Sequence, residues 1–595
     1  MEQDILVLLS ILGVTVLLLV WEAVRIDVVA ILAMLALAWT GLLTPEEALS
    51  GFSSNAVLAI VAVMIMGEGA SRTGLMARLA RLIISIAGNT RRRLVAASSL
   101  AVGLLSGFVQ NVGAAALFLP ALLNISRREQ IAPSDLIMPV GFSALLGGLL
   151  TMVGCTPLLI VNDLLPGAGL EPFGLFAVTP VGLILLISGI AFFYLLRRWL
   201  LPRSADDAAV SPQDRLKETW RIDYEIYHYE IPDDSALVGL TPEEARLWAE
   251  YGLNVLALSQ KETIYYAPWR KTVFEAGQDL ALLGDADAIR RFADDHDLVS
   301  VSSLDEFRRL QDPGVAGFVE VIVPPRSSLV GKTLRDHGFR RHWQAEPLLY
   351  FSSGEEVRGD FSDREIQAGD LFFVHGLWEH IFSMGESDDL VVMTQLDAKR
   401  RRPGRARLAA LCFAGAILLS LTPVPISLAF LTGAIAMVLT GVLDMGQAYR
   451  AVEWKVVFLI AGLIPLGLAM EQTGAAVLIA DAIMGVMQGQ HPLFFVVGIA
   501  LLGTLCTLVM SNVAAVIVLA PLVINMAEMG GLDARILVLL VAVSTENSFL
   551  LPTHQVNALL MTAGGYTSKD YVRAGSGMTL LFLVIVTIVF YVLYL

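Results

Sequence analysis

Two apolar stretches about four hundred residues apart carry the same interruption. In the first, Gln110-Asn111-Val112-Gly113 leads to Pro120; in the second, Ser511-Asn512-Val513 leads to Pro521, and nine residues separate Asn from Pro in both. Thr73-Gly74 stands upstream of Asn111 much as Thr473-Gly474 stands upstream of Asn512. A side-chain amide inside an otherwise apolar run must be satisfied by something, and functional polar groups concentrate at such breaks. The chain therefore reads as two corresponding apolar halves, each with a polar break.

Composition fixes the solvent. Of 595 residues, 56% are hydrophobic and only 16% are charged, and the mean hydropathy is +0.68. A soluble chain of this kind would expose large apolar patches, so the lipid bilayer is the expected surrounding. Six apolar runs fall in each half, and the fourth holds the Asn. A run of about 30 residues broken centrally by small and polar residues suits a re-entrant helical hairpin better than one straight span. The net charge of -15 comes largely from a polar insert and argues against a nucleic-acid partner. Cys155, Cys412 and Cys506 lie in apolar segments without metal-ligand spacing and imply no disulfide framework. The acidic start, Met1-Glu2-Gln3-Asp4, differs from the basic start of a cleavable signal, so the first helix is expected to remain.

Charge predicts an orientation. If each fourth run enters and leaves on one face, each half crosses five times. Arg25, the cluster from Arg72 to Arg93, Arg127, Arg128, Arg197, Arg198, the cluster from Arg400 to Arg407, Arg450, Lys455 and Lys569 then share one side. The positive-inside rule makes that side the cytoplasm. An odd number of crossings inverts the second repeat relative to the first. Both termini fall on the outer face of the inner (cytoplasmic) membrane, and the insert falls inside the cell. Residues 72–93 carry six arginines where 471–492 carry no Lys or Arg, and both segments read as amphipathic helices lying along the interface.

The expected division is 1–203 for the first membrane repeat, 204–310 and 311–402 for two cytosolic modules, and 403–595 for the second repeat. The modules open alike, on Glu225-Ile226-Tyr227-His228-Tyr229-Glu230 and Glu320-Val321-Ile322-Val323. Each then runs through helical and strand-like segments to a turn, Ala276-Gly277-Gln278-Asp279 and Ala368-Gly369-Asp370, before another apolar strand. Small α+β domains are expected.

With these features in place, the membrane halves resemble the divalent anion sodium symporter family of the ion transporter superfamily. The insert modules resemble the C-terminal ligand-binding domains of Trk-type potassium-uptake regulators (TrkA-C, or RCK-C, domains). Ser511-Asn512-Val513 is similar to the symporters' Ser-Asn-Thr hairpin motif. Leu551-Pro552-Thr553-His554-Gln555-Val556-Asn557 resembles their break in a later helix, and Gly147-Gly148-Leu149-Leu150-Thr151-Met152-Val153-Gly154-Cys155-Thr156 resembles the matching break of the first half.

The resemblance implies a polytopic α-helical protein of two inverted repeats, each with a hairpin and a broken helix. It implies anion contacts at Gln110, Asn111, Gly113, Thr156, Ser511, Asn512, Val513, His554 and Asn557. Coupling Na⁺ would sit near Asn111, Val112, Gly154 and Cys155 in one half, and near Asn512, Thr553 and Gln555 in the other. Unwound backbone supplies neutral oxygen ligands to Na⁺, and half-helix N-termini favour an anion. The hairpin motifs depart from the family pattern: Gln110, Val112 and Val513 stand where hydroxyl residues are usual.

Single residues carry two readings. Asn111, Asn512 and Ser511 could simply cap helices. His554 suits proton coupling, anion contact or a structural hydrogen bond. Glu546, within Ser544-Thr545-Glu546-Asn547-Ser548, is costly facing lipid and is the candidate coupling acid. Glu68 and Glu471 read as helix-end residues, and Asp163 follows an expected break at Asn162. Gly331-Lys332-Thr333 has Arg326 where a phosphate-binding loop needs Gly.

The expectation is a sodium-coupled carrier of a small divalent anion, sulfate preferred, working by elevator-like alternating access. The resemblance further implies a homodimer, and a small-molecule regulator is expected for the modules. No cofactor or metal beyond Na⁺ is expected. A dicarboxylate or sulfonate cargo, or proton coupling, are the alternatives on the same fold. A ligand-gated channel lacks the Thr-Val-Gly-Tyr-Gly filter. An enzyme lacks any nucleophile–base arrangement.

Overall fold

The computed structural model describes residues 2–593 except 22–23, 76–77, 79–89, 129–130, 202–211, 221–224, 261–262, 270, 302–306, 308–309, 311–314, 353–354, 358–359, 395–402, 488–490 and 553. The chain separates into two compact units, one of Met1–Ala209 with Arg401–Leu595, the other of Val210–Arg400.

The first unit is helical, and among the described residues its two halves follow the same order of helices apart from Ala475–Met487. Glu2–Trp21, Ile26–Trp39, Pro45–Leu49, Asn55–Arg72, Arg91–Ser106, Asn111–Arg128, Pro133–Gly147, Thr156–Leu164 and Thr179–Leu200 make the first. Ala406–Ser420, Ile426–Leu439, Met445–Ala451, Trp454–Gln472, Ala475–Met487, Pro492–Val509, Asn512–Gly530, Ala534–Ser544, Gln555–Gly564 and Ser568–Leu593 make the second. Among the described residues, eight helical segments are long and apolar enough to cross a membrane. Residues 76–77 and 79–89, where the first half's interfacial helix is expected, lie outside the described residues; the second half's segment 471–492 holds the Ala475–Met487 helix.

Local chemistry repeats with the helices. Thr44 and Glu47 form a capping box at the short Pro45–Leu49 helix, and Asp444 and Gln447 form its counterpart at Met445–Ala451. The repeated Thr-Gly pair is a helix end. Gly74 and Gly474 adopt φ of +69° and +78° just beyond Asn55–Arg72 and Trp454–Gln472. That left-handed conformation costs glycine nothing and a side chain roughly 1 kcal/mol or more.

The halves pack reciprocally. Ile26–Trp39 lies on Trp454–Gln472, and Ile426–Leu439 lies on Asn55–Arg72. Beyond the breaks, Thr156–Leu164 packs on the second half's Asn512–Gly530 and Ala534–Ser544. In return, Gln555–Gly564 packs on the first half's Asn111–Arg128 and Pro133–Gly147. Phe142 sits at one cross-half seam, with Phe549 and Tyr571 rings 5.0 and 6.1 Å away. Tyr566 enters the same region: its hydroxyl accepts from the Met138 N–H at 2.7 Å and donates to the Ser134 carbonyl at 2.5 Å. A helix would normally join those two groups directly, so the second half's phenol is inserted in the first half's ladder.

The second unit holds two five-stranded sheets of the same plan. β1 (Glu225–Glu230), β2 (Asn254–Gln260), β3 (Thr263–Tyr266), β4 (Asp279–Gly284) and β5 (Val299–Ser300) lie in the order β3-β2-β4-β1-β5. β6 (Ala316–Ile322), β7 (Ala345–Ser352), β8 (Glu355–Val357), β9 (Leu371–Leu377) and β10 (Val391–Val392) lie in the order β10-β6-β9-β7-β8. Read from the other edge, the second order repeats the first strand for strand, and every pairing is antiparallel.

Alternation along β4 divides its side chains between two cores. Leu280 and Leu282 join Ile231, Phe274 and Phe292, whereas Ala281 and Leu283 join Phe318, Leu348 and Phe373 of the second sheet. Buried on both faces, such strands read as continuous apolar runs. His375 on β9 is buried, with the Phe318 ring 4.8 Å away; burial, assisted by Lys217, pushes its pKa down to about 4. Gly331 takes φ +80° and Thr333 caps the four-residue Leu334–His337 helix, a turn and cap rather than a phosphate cradle.

Candidate functional site: the two hairpin tips and helix breaks

Each hairpin tip is pinned by a hydroxyl five residues before its Asn. Asn111 begins Asn111–Arg128, and its Oδ1 accepts from Ser106 at 2.7 Å. Asn512 begins Asn512–Gly530, and its Oδ1 accepts from the Thr507 hydroxyl in the same relation. Neither Asn acts merely as a cap, because each side chain turns back into the hairpin. Ser511 is the actual N-cap of its helix, accepting from Ala514 N–H at 3.3 Å.

The first break spans 148–155 between Pro133–Gly147 and Thr156–Leu164. Its glycines permit close approach to the tip. A Cβ on Gly147 would clash with the Gly103 backbone, and one on Gly148 would lie 2.5 Å from Asn111 Oδ1. Thr151 Oγ1 donates to the Gly107 carbonyl at the tip itself. The break is therefore here and not at Asn162, which stays helical and clamps the Phe173 backbone through Oδ1 at 2.5 Å and Nδ2 at 3.2 Å. Asp163 accepts from the Asn55 N–H at 3.0 Å, where the Asn55–Arg72 helix starts. Glu68 pairs with Arg72 at 2.6 Å.

The second break carries more polar chemistry. Asn512 Nδ2 donates to Glu546 Oε1 at 3.1 Å, and Ser548 Oγ donates to Asn512 Oδ1 at 3.1 Å. Asn557 Nδ2 donates to the Ser548 carbonyl at 2.8 Å, and Asn547 Nδ2 donates to Thr504 Oγ1 at 3.1 Å. Glu546, Asn547 and Asn557 are buried. Cys155, from the first half's break, stands within hydrogen-bonding reach of the Glu546 carboxyl. Thus the two breaks meet at Cys155 and Glu546.

The structure gathers Asn512, Asn557 and Glu546 into one network, and Asn111 and Gly154 with Gly148 into another. Gln110, Val112 and Gly113 lie at the first tip, Thr156 opens the helix after Cys155, and Val513 is buried. His554 accepts from Val556 N–H at 3.2 Å, a helix-start bond. Gln555 is exposed rather than packed into the second network, and Thr553 lies outside the described residues. Sequence reasoning missed Ser106, Thr504, Thr507, Asn547 and Ser548. The shared signal was the hydroxyl five residues before each hairpin Asn.

Reciprocally packed apolar helices with two interrupted ones meeting at a buried polar centre are the architecture of a membrane transporter. The chain belongs to the citrate transporter family, whose sequence profile matches residues 16–544, within the ion transporter superfamily. It is 29% identical to the uncharacterized transporter sll0640 of Synechocystis over 98% of this chain and 95% of that protein. It is 27% identical to the uncharacterized transporter YfbS of Escherichia coli over 98% of both. A probable sodium/sulfate cotransporter 3 of Chlamydomonas reinhardtii is 21% identical over 56% of this chain and 38% of its own length. The protein is thus a multi-pass membrane transporter.

Proposed function

We propose that the protein is a cation-coupled carrier of a small multivalent oxyanion, with sulfate as the preferred cargo and Na⁺ as the coupling ion. The observation that carries this reading is the meeting of the two helix breaks, Cys155 beside Glu546, with an Asn-headed hairpin on each side. Helices begin at Asn111, Thr156, Asn512 and Gln555, and the positive dipole ends of such helix starts suit an anion. Hydroxyl and amide groups at the breaks would orient its oxygens, and Glu546 would serve as the coupling acid.

In this reading the halves are inverted repeats, and the hairpins with their broken helices move as a carrier against the remaining helices. Cytoplasmic placement of the Val210–Arg400 unit, TrkA-C-like ligand binding by its modules, and dimerisation through the outer helices complete the proposal. The family's own description favours a second cargo class on the same site, a di- or tricarboxylate such as citrate.

Purified protein in liposomes should take up radiolabelled sulfate saturably under an inward Na⁺ gradient, and Asn111→Ala and Asn512→Ala should each abolish uptake. Citrate-only uptake would move the assignment to the carboxylate class. Neither uptake, in liposomes holding folded protein, would overturn the reading.

A further inference from the structure

The two modules of the β-rich unit run in one register. Leu247–Tyr251 corresponds to Phe339–Trp343, and each short helix is flanked by left-handed residues: Arg246 and Gly252 in one, Gly338 and Gln344 in the other. The strand that follows bulges between Val255 and Ala257 in the first sheet and between Pro347 and Leu349 in the second. Each of these positions lies 92 residues from its counterpart (338 against 246, 347 against 255).

A cavity of about 250 Å³ takes corresponding positions from both modules: Trp248 and Arg340, Asn254 and Glu346, Pro268 and Asp360. The positions match but the chemistry does not. On the second module's side, Arg340 and Glu346 neutralise each other through bonds of 2.6 and 2.7 Å. On the first module's side, half-buried Trp248 and buried Asn254 stand in their places. Leu253 and Val255, on either side of Asn254, belong to the first module's own core. Alternation along the strand therefore turns Asn254 toward the second sheet. Its Nδ2 has no partner, and the residue is only 8% exposed. A buried donor left unmet costs about 1–3 kcal/mol, so an acceptor supplied by a guest is strongly favoured there.

The walls restrict the guest. A two-fold symmetric molecule would meet an ion pair on one side and an indole with an amide on the other. A polyanion would meet three carboxylates, Glu243, Glu346 and Asp360, against Arg246 and Arg340. Arg340 is already spent on Glu346, and Arg246 is paired with Glu250 at 2.8 Å. The volume also falls below the roughly 300–1,000 Å³ of sites for drug-sized ligands. A small zwitterion fits these limits. Its carboxylate would accept from Asn254 Nδ2, and its ammonium would face the carboxylates and the Trp248 ring. Leu247, Val255 and Pro347 offer its side chain an apolar wall.

Resting on the reading above that the modules bind a small ligand, we propose that this cavity is the site and that its ligand is a free α-amino acid with an apolar side chain. One molecule binds per chain and touches both modules at once. The unequal pairs Trp248/Arg340 and Asn254/Glu346 fix its direction across the cavity.

The test is isothermal titration calorimetry of the purified full-length chain in detergent with L-leucine, L-methionine and L-phenylalanine. Their carboxamides, which lack the carboxylate, and adenosine monophosphate, which carries a phosphate, are titrated beside them. Expected are saturable binding of at least one of the three acids at one per chain, and at least tenfold weaker binding of its carboxamide. Asn254→Asp, which sets a carboxylate against the ligand's own, should lose at least tenfold in affinity. Trp248→Leu, on the half-buried wall, should lose at least threefold and decides the matter if Asn254→Asp does not elute as monodisperse protein. Equal affinity for acid and carboxamide, or undiminished binding in the monodisperse variants, would overturn the proposal. Binding of adenosine monophosphate and of no amino acid would overturn it while leaving ligand binding by the modules in place. Silence from every probe would overturn both.

Discussion

The amide of Asn512 and the carboxyl of Glu546 meet at 3.1 Å, joining a hairpin tip to a helix break through one hydrogen bond. The same Asn presents its oxygen to Thr507 and Ser548. It therefore reads the hydroxyls of both segments while holding the acid.

Removing that amide should be felt as stability before it is felt as chemistry. Asn512→Ala takes the amide donor away from the buried Glu546 carboxyl, a cost of about 1–3 kcal/mol. Asn512→Asp should be worse, since it sets a second carboxylate against the first in a buried site. Fluorescence-monitored melting in detergent should rank wild type, then Ala, then Asp. A variant order with Asp equal to wild type would mean the pair is unimportant.

Gly148 faces the Asn111 side chain, and Gly147 faces Gly103 backbone. Side chains can yield and backbone cannot, so Gly147→Ala should lower the melting temperature more than Gly148→Ala. Adding Asn111→Ala should relieve Gly148→Ala but not Gly147→Ala. Overpacking of this kind costs roughly 1–3 kcal/mol, and a double-mutant melting series measures it.

The β-rich unit should lose stability in acid through His375. Its folded pKa of about 4 lies below the ordinary 6.5 because burial disfavours the charged ring. Above the ordinary value both states are neutral and the full stability is present. As pH falls from 6.5 toward 4 only the unfolded chain takes the proton, so stability drops by about 3 kcal/mol across that window. Denaturation across the range should show the fall, and His375→Phe should flatten this contribution.

Arg340 grips Glu346 with two bonds of 2.6 and 2.7 Å, and the Glu346 side chain is 3% exposed. Arg340→Ala strands a buried carboxylate and should cost about 3–5 kcal/mol. Arg340→Met with Glu346→Leu should recover most of it. Calorimetric or chemical unfolding would separate the two outcomes.

Much of this was legible in the chain. Asn111 and Asn512, their shared offset to proline and the Thr-Gly pairs marked corresponding helices, and Gly147-Gly148 marked the first break. Periodicity could not place that break's end, so Asn162 looked like an interruption although its amide clamps Phe173. Gln555 was nominated by its position in the family-like motif, and it sits exposed on the first turn of its helix. Ser548 and Thr504 passed unnoticed because a hydroxyl in an apolar run is ordinary; only the fold shows which amide it meets.

Tyr566 has a consequence for how the chain comes into being. Its hydroxyl completes a backbone ladder whose own residues, Ser134 and Met138, leave the ribosome more than four hundred residues earlier. Until the last helices are made, the phenol that bridges these two groups is absent. The broken helix of the first half thus receives this partner only after synthesis of nearly the entire protein, and a chain truncated before Tyr566 would lack it.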